Sequence, residues 1–387
     1  MNIQEYIAER LFAARAEAGL SAVAVADAIG VVRQTYSKFE QAQGVPSVTQ
    51  LIALCKLYNK PIGYFYDSDE GTFRFAMRAD HPDMLDSKLR NALISKLQHI
   101  HAIEEAADAR QPEDLPNSLP IFTAKEEDLL RVEDKAAEER RRLGIGDATC
   151  VGDIVALLES FDIRVIPFSH QAEEGLVSGF SAFSDKYGTA IYVNNHPSVS
   201  VERQIFSICH EYAHIIFHRD DYTGPAKTYK TRGKSVSPEE KVANHFAACF
   251  LIPEHALRKQ FLMQGGGWAY EETVMRLKSI YRVSFACMVD RLSKCRLISP
   301  KNAAWLWGIT QQKGWNRQEP KPIREPLSYK ERLLVLSRKA WEAGTASESF
   351  LADLLELNRK ELSVLLEKWY ADQEAGEDAF SMPQMRH

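Results

Sequence analysis

The pentapeptide His210-Glu211-Tyr212-Ala213-His214, set in the apolar helical run ERQIFSICHEYAHIIFH, constrains this chain more than any other stretch. Two histidines four residues apart lie about 40° apart on one helix face, so both imidazoles can reach a single ion. Glu211 is offset to the side, where a carboxylate can take a proton from water activated by such an ion and later pass it to a leaving amine. The pentapeptide alone is weak evidence in a chain with 11 histidines, since a buried helix can carry histidines incidentally. A tetrahedral catalytic ion also needs a third protein ligand and an open fourth position. Phe217 and Asp220 stand where the metzincin pattern has a glycine and a third histidine, which excludes that arrangement.

A second helical run, EKVANHFAACFLIP from Glu240, supplies what is missing. Glu240 and Asn244 share a face at i, i+4, so Glu240 can close the site while Asn244 orients a ligand histidine from behind. Glu239 is a rival ligand, about 100° round the helix. Pro238 is a natural helix start. His218 lies one turn beyond His214 on the same stripe; as a fourth ligand it would close the site, and a helix-capping role is expected instead. Cys209 reads as a core thiol.

At 387 residues the chain is expected to hold two or three domains. Its net charge of −5 excludes histone-like binding over the whole molecule, so any DNA contact must be local. The six cysteines form no C-x-x-C pair, the acidic N-terminus is no signal peptide, and no apolar run approaches the roughly 20 residues of a membrane helix. A soluble cytoplasmic protein with free thiols and no membrane partner is expected.

Helical spacing covers residues 3–18, 23–30, 33–41 and 47–58, then 84–109 and 124–143, and resumes from Val201. The run Arg140, Arg141, Arg142 reads as a solvated face. Strand signals appear only in the middle, at Arg164–Phe168, Val177–Phe183 and Ala190–Val193. The last of these, as an exposed edge, would hold a peptide by strand addition. The basic loop 222–238 reads as a solvated mobile loop or, alternatively, as a lid beside the site with Tyr229 stabilising an oxyanion. Pro-rich stretches at 111–121 and 311–326 read as linkers. The fold class expected is mainly α with a central α+β domain, five helices at the N-terminus, a small mixed sheet beside the His-Glu helix, and a helical C-terminal region.

Around Gly30, the residues LSAVAVADAIGVVRQTYSKFE (20–40) make two helices cross at a short turn, the geometry that lays a second helix in a major groove. Residues 7–66 resemble the lambda-repressor-like (XRE) helix-turn-helix family. The resemblance implies that Arg33, Gln34, Thr35 and Lys38 open the recognition helix and face bases and phosphates of a double-stranded operator. Ala22 replaces the usual glutamine, and Val32 replaces the usual capping Ser or Thr. Six basic and five acidic side chains in residues 1–66 predict modest, salt-sensitive affinity unless a homodimer doubles the contacts.

IYVNN, Arg203-Gln204-Ile205-Phe206, His210 to His218 and Glu240 to Pro253 together resemble the ImmA/IrrE family of metallo-endopeptidases. That resemblance implies a gluzincin-like zinc peptidase with metal on His210, His214 and Glu240, Glu211 as catalytic acid/base, and Asn244 behind the ligands. Manganese suits the same donors. The layout expected is a helix-turn-helix domain at 1–69, a connector at 70–121, the peptidase-like domain at 122–260, a helical extension at 261–312 and a helical module at 326–387. The function implied is a regulator that cleaves a repressor, an antitoxin or itself in a stress, phage or mobile-element response. The alternative is a repressor or antitoxin whose peptidase-like domain is a non-catalytic sensor.

Overall fold

Glycine and proline breaks divide the chain into short helices, as the computed structural model shows for residues 3–58, 60, 63–66, 74–76, 87–110, 114–121, 123–170, 177–184, 186–219 and 236–380. The chain separates into two units, residues 1–73 with 85–94 and 184–186, and the remainder.

The first unit has five helices: α1 (Ile3–Glu17), α2 (Ala22–Ala28), α3 (Arg33–Glu40), α4 (Val48–Tyr58) and α5 (Gly63–Tyr66). Ser21 caps α2 by accepting from the Ala24 amide, whereas Val32 at the start of α3 provides no side-chain cap. Gly30, at φ +71°, makes the turn between them in the left-handed region that favours glycine. Ile7, Leu11, Val25, Tyr36, Phe39, Leu54 and Phe65 form the core. The Tyr36 and Tyr58 hydroxyls share a hydrogen bond at 2.7 Å, and Arg15 clamps Glu40 through two donors at 2.6 and 3.1 Å.

After β1 (Arg74–Ala76) and α6 (Ser87–Ala106) come α7 (Glu126–Arg142), α8 (Ile154–Glu159), β2 (Arg164–Phe168), β3 (Gly179–Ser184) and β4 (Gly188–Asn194). The sheet order is β1-β3-β4-β2, with β1 antiparallel to β3 and β2 parallel to β4. Two expectations are corrected here. β4 lies between β3 and β2, so its ladder is used on both sides and it is not a peptide-binding edge. β1 adds a strand ahead of the middle region; three residues are too short for alternation to show in the sequence.

Helices α9 (Val201–Phe217) and α10 (Pro238–Leu251) pack together and, with α7, enclose the main core. Arg140 is not solvated: it is 1% exposed and donates to the Phe250, Gly146 and Thr149 carbonyls, tying α7 to α10 and to its own following turn. Arg142 likewise turns inward, onto Glu139 at 2.8 Å and the Tyr212 hydroxyl at 2.7 Å. Of the three arginines only Arg141 stays exposed.

The helical extension contains α11 (Glu254–Leu262), α12 (Glu271–Tyr281), α13 (Phe285–Lys294) and α14 (Pro300–Gln312). The stretch after α14 is no free linker. Lys278, 2% exposed, donates to Glu202 at 2.9 Å and to the Pro320 carbonyl at 3.0 Å, and pairs with Glu319 at 3.2 Å. Residues 114–121 are also held, with the Asp114 and Leu119 amides donating to the Phe161 and Ile216 carbonyls. The chain continues with α15 (Glu331–Glu342), α16 (Glu348–Leu355) and α17 (Arg359–Phe380); Gly344, at φ +69°, makes the break between α15 and α16. Among the described residues no helix is long and apolar enough to cross a membrane.

Replacing Lys278 by Met leaves Glu202 and Glu319 buried together without a counter-charge. Such a loss costs about 3–5 kcal/mol, which urea denaturation of Lys278→Met should show against wild type.

Candidate metal centre

Two caps place the site. Ser200 accepts from the Arg203 amide at the start of α9, and Ser237 accepts from the Glu240 amide at the start of α10, where Pro238 occupies the first turn. These starts set the helical phase in which His210, His214 and Glu240 converge. His210 Nε2 lies 3.1 Å from His214 Nε2 and 3.1 Å from Glu240 Oε2, and His214 Nε2 lies 3.5 Å from Glu240 Oε1. Of the two rival carboxylates it is Glu240 that reaches the histidines.

The groups behind the rings decide which nitrogens carry protons. His218 Nε2 is 3.1 Å from the Ile121 carbonyl oxygen, which only accepts, so this nitrogen donates. In the neutral ring His218 Nδ1 is then an acceptor, and it receives the His214 Nδ1 proton at 2.9 Å. That leaves His214 Nε2 with a bare lone pair. Asn244 Oδ1, 3.1 Å from His210 Nδ1, imposes the same tautomer on His210. Two lone pairs and a carboxylate thus face one point, an arrangement that suits a divalent ion and repels itself without a cation. The residues present fit a metal.

The electrostatics agree. Burial pushes the Glu240 carboxyl up, but the His210 and His214 rings override it and hold the group well below the usual carboxylate range. Burial pushes His210 down, yet Glu240, Glu211 and Asn244 bring it above its ordinary value. Both shifts express the same demand for positive charge between ring and carboxylate.

Glu211, 5% exposed, brings a carboxylate oxygen within 4.8 Å of donor atoms of both histidines. Its Oε2 accepts from the Ser181 hydroxyl at 3.0 Å. At Gly179, on the same face of β3, an added Cβ would lie 2.8 Å from the Tyr192 carbonyl oxygen and 3.5 Å from Glu211 Cγ. Sequence reasoning missed both residues. The small residues at alternate positions 179 and 181 were the available signal, since period 2 puts them on one strand face.

His218 takes the C-cap position of α9, as expected, its amide donating to the His214 carbonyl, while its ring supports His214 from behind. Tyr212 anchors α9 to α7, donating to Glu139 Oε2 at 2.7 Å. Cys209 is fully buried, and burial pushes its thiol well up. Tyr229 and most of its loop lie outside the described residues. In the first unit Arg33, Gln34 and Lys38 are exposed along α3 and Thr35 is half-buried, while Tyr36 and Phe39 point into the core.

Residues 158–293 match the family model of the IrrE N-terminal-like domain, and residues 11–65 match that of the helix-turn-helix family. The chain therefore joins an XRE-like helix-turn-helix segment to an IrrE/ImmA-like domain of the metallopeptidase kind. No curated protein matches it in sequence. The solved structure of Bacillus thuringiensis PlcR in complex with the peptide PapR7 and DNA is matched over 96% of this chain and 98% of that one, at 10% identity. Its TM-score is 0.18, too loose a superposition to carry an argument.

Asn244→Ala removes the acceptor that sets the His210 tautomer. Zinc affinity, measured by competition with a chromophoric chelator, should fall about 10–100-fold with the fold intact.

Proposed function

We propose that this chain is an intracellular DNA-binding regulator whose second unit is a metal-dependent endopeptidase acting on a specific protein. The observation that carries the reading is the convergence of His210 Nε2, His214 Nε2 and the Glu240 carboxylate with Glu211 beside them. A divalent ion, zinc or manganese, held there would polarise a peptide carbonyl and acidify water to a pKa of about 7. The chain's own residues do the rest. Glu211 takes the proton from the attacking water and returns it to the leaving amine. Ser181 aims the Glu211 carboxylate, and Asn244 and His218 keep the two imidazole lone pairs directed inward.

The substrate proposed is a separate protein, such as a repressor or antitoxin, rather than this chain's own 114–121 segment. A scissile peptide must be extended in the site, and that segment is fastened by the Asp114 and Leu119 amides and by the Ile121 carbonyl at His218. In the first unit α3 would lie in the major groove with Arg33 and Gln34 on base edges and Lys38 on phosphate. Arg15 and Lys60 are taken up by Glu40 and Glu17, so little basic surface remains per copy and binding as a homodimer is proposed.

Glu211→Gln should keep its metal yet lose cleavage by about 10²–10⁴-fold, whereas His210→Ala should lose both. Identical partner fragments from wild type and Glu211→Gln over time would dismiss hydrolysis at this site, leaving a non-catalytic sensor. Arg33→Ala combined with Gln34→Ala should weaken promoter binding in a gel-shift series by about 1–3 kcal/mol per lost base contact.

A further inference from the structure

The helix that carries Glu240 and Asn244 presents a second group of donor atoms on another face. His245 and Cys249 are four residues apart on α10, the spacing that His210 and His214 have on α9, and Glu133 of α7 meets them. Glu133 Oε1 lies 3.0 Å from His245 Nε2 and 3.7 Å from Cys249 Sγ, and one donor atom from each of the three residues lies within 4.8 Å of the other two. Around a tetrahedral ion with bonds of about 2.0–2.1 Å to N and O and about 2.3 Å to S, neighbouring donors stand roughly 3.3–3.6 Å apart. The two measured separations bracket that spacing.

The placement of His245 fits this grouping. It is 7% exposed, and its Nε2 is turned to the Glu133 carboxylate at 3.0 Å. This buried nitrogen therefore stands with a carboxylate and a thiol around one point.

We propose that Glu133, His245 and Cys249 form a second metal site, for a borderline transition-metal dication of the zinc class, that ties α7 to α10. Thiolate with imidazole selects such ions over magnesium or calcium. The Glu133 side chain is 34% exposed, so the ion enters from solvent at the carboxylate and keeps a water there. Arg291 stands beside the cluster, its guanidinium nitrogen 3.6 Å from Glu133 Oε1 and its Nε donating to the Ile252 carbonyl at 3.0 Å. With thiolate and carboxylate both ionised, Arg291 offsets one negative charge and the dication meets the other, leaving one excess positive charge at a partly solvated rim. Burial pushes the Cys249 thiol up to about 12. Uptake therefore proceeds by exchange: the S–H bond breaks, a sulfur–metal bond forms and one proton leaves to solvent.

The test uses the full chain, stripped by chelator and titrated with Co2+. A near-ultraviolet thiolate-to-cobalt charge-transfer band is expected in wild type and also in His210→Ala/His214→Ala, since the first site contains no sulfur. Cys249→Ser should abolish the band, and Glu133→Gln, at a partly exposed position, should weaken its cobalt titration by about tenfold or more. Absence of the band from both wild type and the double variant overturns the proposal. So does a band that survives Cys249→Ser, which would place the thiolate elsewhere. If Cys249→Ser does not fold, Glu133→Gln decides, and an unchanged titration in that variant overturns the assignment.

Discussion

Three acceptor groups brought within 3.5 Å of one another are the arrangement on which the rest of the second unit depends. Two imidazole lone pairs and a carboxylate repel unless a cation joins them, so the fold must hold α9 and α10 together by other means. It does this with apolar packing around Phe217 and Phe246, whose rings meet edge to face at 5.5 Å, and with capped starts on both helices. The chain of hydrogen bonds from the Ile121 carbonyl through His218 to His214 then fixes which ring nitrogen faces the centre. A backbone oxygen distant in sequence thus determines the chemistry of a helix residue.

Buried charge is the second organising element. Glu139 is fully buried and is met by Lys135 at 3.0 Å, Arg142 at 2.8 Å and the Tyr212 hydroxyl at 2.7 Å. Glu104, equally buried, is shared by Arg164 and Arg332. Buried ion networks contribute little net stability compared with apolar packing, but removing one member is severe. Here they join separate elements: Glu139 links α7 to α9 through Tyr212, and Glu104 links α6 to β2 and α15. Arg140, with three carbonyls as partners, plays the same part without an acid.

Much of this was legible. The i, i+4 spacing of His210 and His214, the Pro238 start and the shared face of Glu240 and Asn244 follow from helical geometry, which is local. The Arg140–Arg142 run shows where such reasoning fails, because charge composition does not say which face of α7 meets α10, and two of the three arginines turned inward. The stretch after α14 looked like a linker because proline and charge suggest one; Lys278 could be identified as its anchor only once α12 was seen against α9. The strand Ala190–Val193 was recognisable as a strand but not as a central one, since strand order is a long-range property.

By itself the sequence determined the mainly helical class, the approximate positions of the first helices and the one-turn spacing of His210 with His214 and of Glu240 with Asn244, because each depends on periodicity within one element, while the helix-turn-helix and the joining of His210, His214 and Glu240 into one ligand set came from family resemblance. Only the tertiary structure decided that Glu240 rather than Glu239 reaches the histidines, that Ser181 and Gly179 accommodate Glu211, that His218 supports His214 from behind, and that His245 and Cys249 meet Glu133. Those outcomes depend on how one element is rotated and registered against another, and that is set by packing and buried charge contributed from many distant positions at once.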